Sequence, residues 1–319
     1  MPAVSVIVPC RTRGPFLDEC LAALERQTFR DFDVYIVAEE PLALPGANVH
    51  ALLVGPVLPN RKRETAARAS DAPLVAFLDD DAAPAPDWLA NAVRHFADPA
   101  VAGAGGPGVT PPDDGPRERA SGAVFASHLV TATARHRYVA ERQRDVDMLP
   151  TCNLLLRRAI FLRDAEESAR FWPGEDIIAC RLARRDGRRI VYDPAALVYH
   201  HRRALFAGHL RQVASYARFR GADVRRNGIA PGETAFLVPA AFVLAHVPLA
   251  AALAFGRTRR RAAGAAGLYV AAVAVSAVRE ARAVRANPWL VALGIYLSHI
   301  AYGWALIASW LRPDPAHDR

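Results

Sequence analysis

The stretch FLDDDAAPAPDWL, residues 77–89, sets Asp79, Asp80 and Asp81 side by side directly after an apolar run. Two carboxylates about 4 Å apart repel by roughly 4 kcal/mol at an effective dielectric of about 20. A hard divalent cation held between them removes that cost. If the apolar run is a strand, successive side chains alternate faces, so Asp79 and Asp81 share one side and Asp80 takes the other. Asp79 and Asp81 are therefore the candidate metal ligands. An Asp-rich turn that caps the next helix is the plainer reading, and it suits Asp81 alone better than three in a row. A second acidic pair, Glu175 and Asp176 in FWPGEDIIAC, opens a helical pattern. There the helix dipole stabilises a carboxylate, and stabilising the helix is the plainer role.

Elements that must position these groups follow from periodicity. Strands are predicted over 3–8, 33–38, 49–54 and 74–78, and helices over 16–27, 59–70 and 86–96. Strands alternating with helices predict an α/β domain built on a parallel sheet covered on both faces. Such sheets take ligands at the C-terminal ends of their strands, where the aspartates lie. Residues 107–116 read as a loop, and a helical stretch follows around 117–135. A strand is predicted over 151–158, a helix over 174–187 ended by Gly187, and one or two short strands over 190–200.

The character changes near 203. Phe206, Leu210, Val213 and Ala217 form a stripe from which Arg211 and Arg218 are excluded. Two readings stand: a basic amphipathic helix at a membrane surface, or a helix packed on its own domain with a solvated arginine face. Three apolar segments follow, at 235–256, 262–278 and 289–311. As helices they would span about 33, 25 and 34 Å, against about 30 Å of bilayer hydrocarbon. Trp289 and Trp310 fit an interfacial belt. Basic runs at 257–261 and 279–285 flank the middle segment on both sides, so charge does not fix its topology. The chain thus divides into a domain over 1–202, an interfacial segment over 203–234 and a membrane region over 235–319.

Composition narrows the classes further. The net charge is +8, and of the 40 basic residues only Lys62 is a lysine. An arginine and alanine bias of this kind reflects a GC-rich genome, and no nucleic-acid partner is predicted from it. Cys10, Cys20, Cys152 and Cys180 show no clustered metal-ligand spacing, which suits reduced, buried thiols in the cytosol. The N-terminus MPAVSVIVPC reads as a strand and not as a signal peptide.

The pieces SVIVPCRTR (5–13), ERQTF (25–29), NRKRETAARASDAPLVAFLDDDAAPAPDWL (60–89), NLLLRR (153–158) and GEDIIACRLARRDGRRIVYDP (174–194) resemble, in order and spacing, a family 2 glycosyltransferase of GT-A fold. The resemblance implies a nucleotide-diphosphate sugar donor and Mn2+ or Mg2+. It implies Asp79 and Asp81 as the metal-binding DxD pair, with Asp80 beside the donor's ribose or sugar. Pro9 and Arg11 end the first strand where the family contacts the nucleotide. Arg61 and Arg63 lie where a basic residue meets base or phosphate; a solvated helix face is their plainer role. The family's acidic turn after the second strand here reads IVAEEP (36–41), and Glu39 or Glu40 takes its place with a longer reach.

By the same resemblance Asp176 is the general base of a single inverting displacement, and Glu175 orients the acceptor. Trp172 stacks on an acceptor sugar or is an ordinary core residue. His200 approaches the metal or the diphosphate, or is a structural strand-end histidine. Tyr216, Arg218 and Arg220 are candidates to close over the donor. The processive signature QxxRW is not matched, since VASY follows Gln212, which implies a single sugar addition. The expected partners are the nucleotide sugar, a lipid-linked or envelope glycan acceptor, and membrane lipids. The expected location is the plasma (inner) membrane, multi-pass, with the catalytic domain cytoplasmic. A catalytically silent, membrane-bound sugar-nucleotide binder is the alternative, motivated by the altered acidic turn.

Overall fold

The computed structural model describes residues 1–43, 46, 48–168, 173–229, 234–254 and 258–312. The chain forms two compact units, and they do not follow the sequence in one piece. The first holds Met1–Val109 and His136–His201; the second holds Thr110–Arg135 and Arg202–Arg319. The segment after Val109 thus leaves the first unit and groups with the C-terminal region, a departure from one boundary near 202.

The first unit is built on an eight-stranded sheet ordered β3-β2-β1-β4-β9-β6-β10-β8. These strands are β1 (Val4–Pro9), β2 (Phe32–Ala38), β3 (Val49–Leu53), β4 (Leu74–Phe77), β6 (Val101–Gly105), β8 (Arg144–Val146), β9 (Leu154–Arg157) and β10 (Arg189–Tyr192). A small second sheet, ordered β5-β11-β7, joins β5 (Ala82–Pro84), β7 (Gly108–Val109) and β11 (Val198–His200). Strands β3, β2, β1 and β4 run parallel, as the alternating pattern predicts. The sheet as a whole is mixed, because β9 runs antiparallel to both β4 and β6, and β8 to β10.

Helices α1 (Pro15–Glu25), α2 (Pro59–Ala69) and α3 (Trp88–Val93) connect the first strands. In β1, Val4, Val6 and Val8 join one apolar cluster with Leu17, Cys20 and Leu24 of α1 and Trp88 of α3. Ile7 points the other way, into a cluster with Ala66 and Ala67 of α2. That period of two, apolar on both sides, is what a sheet with two covered faces requires.

Strand β6, VAGAG, was not legible from propensity, since glycine and alanine are depleted in strands. Packing explains its composition: a Cβ built on Gly103 would lie 2.7 Å from Leu156 Cδ2 and 3.0 Å from the Leu155 carbonyl. The expected strand over 151–158 is shortened to β9 by a 3-10 turn at Thr151–Asn153.

In the second unit, α4 (Pro116–Ala126) and α5 (His128–Thr131) precede the first unit's last strands in sequence. Between β9 and β10 lie the short α6 (Arg158–Arg163), α7 (Ala165–Ser168) and α8 (Glu175–Ala183) of the first unit. Then follow α9 (Ala207–Asn227), α10 (Val238–Ala254), α11 (Arg259–Ala283) and α12 (Pro288–Leu311) of the second. Ala120, Ala123 and Val124 of α4 pack with Val273, Ala277 and Ala281 of α11 and with Val291 and Ile295 of α12.

Three helices are long and apolar enough to cross a membrane by length and composition: Thr234–Ala254, Arg259–Ala283 and Pro288–Leu311. The middle one is longer than its apolar run, so Glu280 lies within it. That carboxylate is 3 % exposed and pairs with Arg135 at 3.3 Å and with Arg279. Segment 262–278 read alone contains no acidic residue; the whole helix contains a buried one. Of the stripe on α9, Val213 and Ala217 are buried, Phe206 and Leu210 half-buried, and Arg211 and Arg218 exposed. Arg220 is buried within the unit, beside Asp223 and over the Phe236 ring at 4.7 Å.

Candidate active site

The C-terminal ends of β1, β2 and β4 lie side by side because these strands are parallel neighbours. Pro9 is the last residue of β1, and buried. Just beyond it Arg11 is exposed, with Nε 3.6 Å from a Glu39 oxygen. The backbone ties the two turns together, since Glu39 N donates to the Arg11 carbonyl at 3.1 Å. The other Glu39 oxygen accepts from Lys62 Nζ at 2.8 Å, and Lys62 also donates to the Cys10 carbonyl at 2.6 Å. Lys62 is 3 % exposed. Its hydrogen bond, together with the charges of Lys62 and Arg11, holds the Glu39 carboxyl below its usual range. Sequence reasoning missed this lysine. The available signal was its singularity among so many arginines.

The aspartates sit differently from the strand picture. β4 ends at Phe77, and Asp79–Ala82 form a turn closed by Ala82 N donating to the Asp79 carbonyl at 3.2 Å. Strand alternation therefore does not govern them; the turn and its partners do. Asp79 accepts from Arg63 Nη2 at 2.8 Å, and Asp81 lies 3.1 Å from His200 Nε2. The second contact follows from register, because β5 pairs with β11 so that Ala82 faces His200. Asp80 is half-buried, and burial plus the charges of Asp81 and Asp79 push its carboxyl up to about 6.

Asp79, Cys152 and His200 each bring one ligand atom to within 4.8 Å of the others. Burial disfavours a charged His200, yet Cys152 and Asp81 outweigh it and hold its pKa well above the ordinary value. The proximity of Cys152 was not foreseen; it comes from the 3-10 turn at Thr151–Asn153, which no local pattern marks.

Arg63 joins these groups to the second acidic pair. It is 2 % exposed, and its Nη1 donates to Glu175 at 3.2 Å while Nη2 serves Asp79. A solvated helix face is thus excluded for Arg63. Arg61, half-exposed, pairs instead with Glu64 at 2.8 Å.

Gly174, with φ of 111°, makes the left-handed turn that starts α8 and puts Glu175 and Asp176 in its first turn. Glu175 is 4 % exposed; burial and the Asp176 charge push its carboxyl above the usual range, against the pull of Arg63. Asp176 is partly exposed and accepts from Ile177 N at 2.8 Å. Burial raises its pKa too, opposed by the Arg137 charge. Both carboxylates thus lie in the helix's first turn, and Glu175 meets the guanidinium that also serves the aspartate turn. Trp172 lies outside the described residues. Arg218 belongs to the second unit, where its carbonyl accepts from Ser309 Oγ at 2.7 Å.

Residues brought together are therefore Arg11 with Glu39, and Asp79, Asp81 and His200 with Arg63 and Glu175. As a donor set, two carboxylates and an imidazole suit a divalent cation, and a buried guanidinium suits anionic oxygens.

Known proteins resemble this chain in sequence and in fold. Two Mycobacterium tuberculosis strains carry a pre-mycofactocin glycosyltransferase 27% identical to this chain over 158 residues. The match takes in 50% of this chain and 33% of the relative, so the chain spans about a third of that relative's length. Among solved structures, the mannosyltransferase PcManGT of Pyrobaculum calidifontis, in complex with GDP-Man and Mn2+, superposes with a TM-score of 0.65. It is 21% identical, with 97% of this chain and 87% of that one covered. GalNAc-T7 with UDP, GalNAc and Mn2+ gives 0.50 at 13% identity, covering 76% and 51%. Both likenesses are likenesses of fold, that of a GT-A-like α/β domain. The profile described as "Glycosyltransferase like family 2" matches residues 45–217, more than half of the chain, and the chain belongs to that family.

Proposed function

We propose that this chain is a membrane-attached, inverting glycosyltransferase that moves a sugar from a nucleotide-diphosphate sugar to a hydroxyl acceptor. The carrying observation is the position of Arg63, whose guanidinium touches both Asp79 of the aspartate turn and Glu175 at the start of α8. One buried cation thus spans the donor carboxylates and the acceptor carboxylates.

Asp79 and Asp81, with His200 alongside, would hold Mn2+ or Mg2+. When bound, such an ion supplies Lewis-acid stabilisation of the leaving diphosphate. Asp80, beside them, faces the donor's ribose or sugar. Pro9, Arg11 and Glu39 line the end of β1 and β2 where the nucleoside would lie. Arg61 offers phosphate a planar fork. Asp176 takes the proton from the attacking hydroxyl, and its raised pKa fits a base that must hold that proton. Glu175, fixed by Arg63, orients the acceptor. Trp172 and Arg218 are proposed as acceptor or diphosphate contacts. The three apolar helices would anchor the chain in the plasma membrane beside a lipid-linked or envelope acceptor, with the first unit facing the cytosol.

A panel of UDP- and GDP-sugars with Mn2+, added to the full chain in detergent, tests this reading. One donor should raise the melting temperature and be hydrolysed slowly, and Asp79→Asn should abolish both effects. Stabilisation without turnover by any donor would favour the silent binder. No stabilisation by any donor would overturn the proposal.

A further inference from the structure

Helices α9 and α12 run side by side in the same direction. His209 Nε2 is 2.9 Å from Ser298 Oγ, and Ser309 Oγ donates to the Arg218 carbonyl at 2.7 Å. Those partners are 89 and 91 positions apart in sequence, so the two helices advance together. One turn on, a Cβ on Gly221 would lie 2.6 Å from the Leu306 carbonyl and 3.3 Å from Trp310 N. Arg211 is therefore level with Ile300, near the middle of α12. Arg211 and Arg218 stand two and nine residues from His209, about 200° and 180° round the helix, and both are exposed. If α12 crossed a bilayer, Arg211 would ride at the depth of its centre, where a guanidinium is costly outside a protein interior or a water-filled cavity.

The exposed side of α12 has its own pattern. Trp289, Leu293, Tyr296, Trp304 and Leu311 are exposed at spacings of four, three, eight and seven, which is one stripe along the whole helix, and Trp310 borders it. Ser298, bonded to α9, lies on the other side. A spanning helix carries tryptophan at its two ends, at headgroup level. Trp304 would instead sit about 6 Å from the centre of a span. A helix lying flat keeps every residue of the stripe at one depth. Charge agrees: Arg282 and Arg285 before the helix and Arg312 after it are exposed, and no acidic residue occurs from 281 to 312. A crossing would divide these cations between the two sides, whereas a flat helix offers them all to one anionic surface. α12 is also the most enclosed of the three apolar helices, 39% buried against 6% and 17%.

We propose that α12 does not cross the membrane but lies in the plane of an anionic lipid surface, stripe against the lipid, with α9 as a second layer on its water side. The proposal rests on the membrane-attached reading and adds that both ends of α12 lie on one side. Penetration beyond the interface is then left to α10 and α11.

Sided labelling of the full chain in sealed membrane vesicles tests this. The native cysteines are buried, so a membrane-impermeant maleimide reports on introduced ones. Ala283→Cys, Arg312→Cys and Arg211→Cys should share one fate: all labelled in vesicles of one orientation and all protected in the other. Opposite fates for Ala283→Cys and Arg312→Cys overturn the proposal and leave membrane attachment standing. Nitroxides on Leu293→Cys, Ile300→Cys and Leu311→Cys, in vesicles of phosphatidylethanolamine and phosphatidylglycerol, give a second measure. Collision with oxygen and with an aqueous nickel chelate should put all three at one shallow depth, about 5–10 Å into the headgroup–acyl boundary. A depth gradient of about 1.5 Å per residue, deepest at 300, overturns the proposal. So does shielding from both reagents, the result for a face covered by a second copy or another protein. A chain that fails to pellet with the vesicles overturns the attachment reading as well.

Discussion

Glu175 and Asp176 are adjacent carboxylates with different neighbours, and the proposed reaction gives them different work. Glu175 is enclosed and tied to Arg63, so it is held in place. Asp176 keeps partial exposure, which an acceptor hydroxyl needs. Asp176→Asn should therefore leave donor stabilisation intact and lower transfer by about 10²–10⁴-fold, the usual share of a general base. Loss of donor binding in that variant, read by thermal shift, would make the residue structural. The aspartates and the Gly-Glu-Asp run were legible because acidic clusters beside apolar runs are costly and so conspicuous. The burial of Lys62 and Arg63 was not. α2 reads as polar throughout, and Arg63 pairs with a carboxylate 112 residues away that no local window contains.

At the scale of elements, alternation exposed the four parallel strands, since each pairs short apolar runs with amphipathic helices. It did not expose β6, whose glycines answer to close packing and not to strand propensity. Gly106, just after β6, illustrates the constraint: a Cβ there would lie 2.2 Å from the Ala196 carbonyl and 2.4 Å from that of Asp193. Those contacts are backbone and cannot swing aside. Gly106→Ala should cost about 1–3 kcal/mol, the range for overpacking. Because the same turn supports Pro107 and Asn153, metal affinity should fall along with the melting temperature. An unchanged melting temperature would show that the turn relaxes freely. α11 gives a parallel lesson: hydropathy marked its apolar middle but not its charged C-terminal turn, where Glu280 and Ala281 are buried.

At the scale of the whole molecule, His209 reports on the second unit's integrity. It is fully buried, with Nδ1 2.8 Å from Ser121 Oγ and Nε2 2.9 Å from Ser298 Oγ, and packs on Phe125. Ser298 donates to the Gly294 carbonyl at 2.7 Å, so Nε2 carries the proton and Nδ1 accepts from Ser121. Burial and the Arg202 charge press the imidazole down to about 4. A folded-state pKa below the unfolded value near 6.5 means full stability above pH 6.5 and loss as pH falls towards 4. The loss reaches about 3 kcal/mol. Melting temperatures in detergent across that range should fall with acid, and His209→Gln should flatten the slope. An equal slope in the variant would place the acid sensitivity elsewhere.

The excursion of Thr110–Arg135 has a consequence for biosynthesis. Ala120, Ala123 and Val124 find their neighbours on α11 and α12, which are translated long after α4. At about 5–20 residues per second, the stretch of roughly 160 residues between α4 and α12 takes about 8–30 s to translate. For that interval the face of α4 that packs on α12 has no such partner. Its yield in a cell therefore depends on how promptly the tail is delivered to its hydrophobic destination.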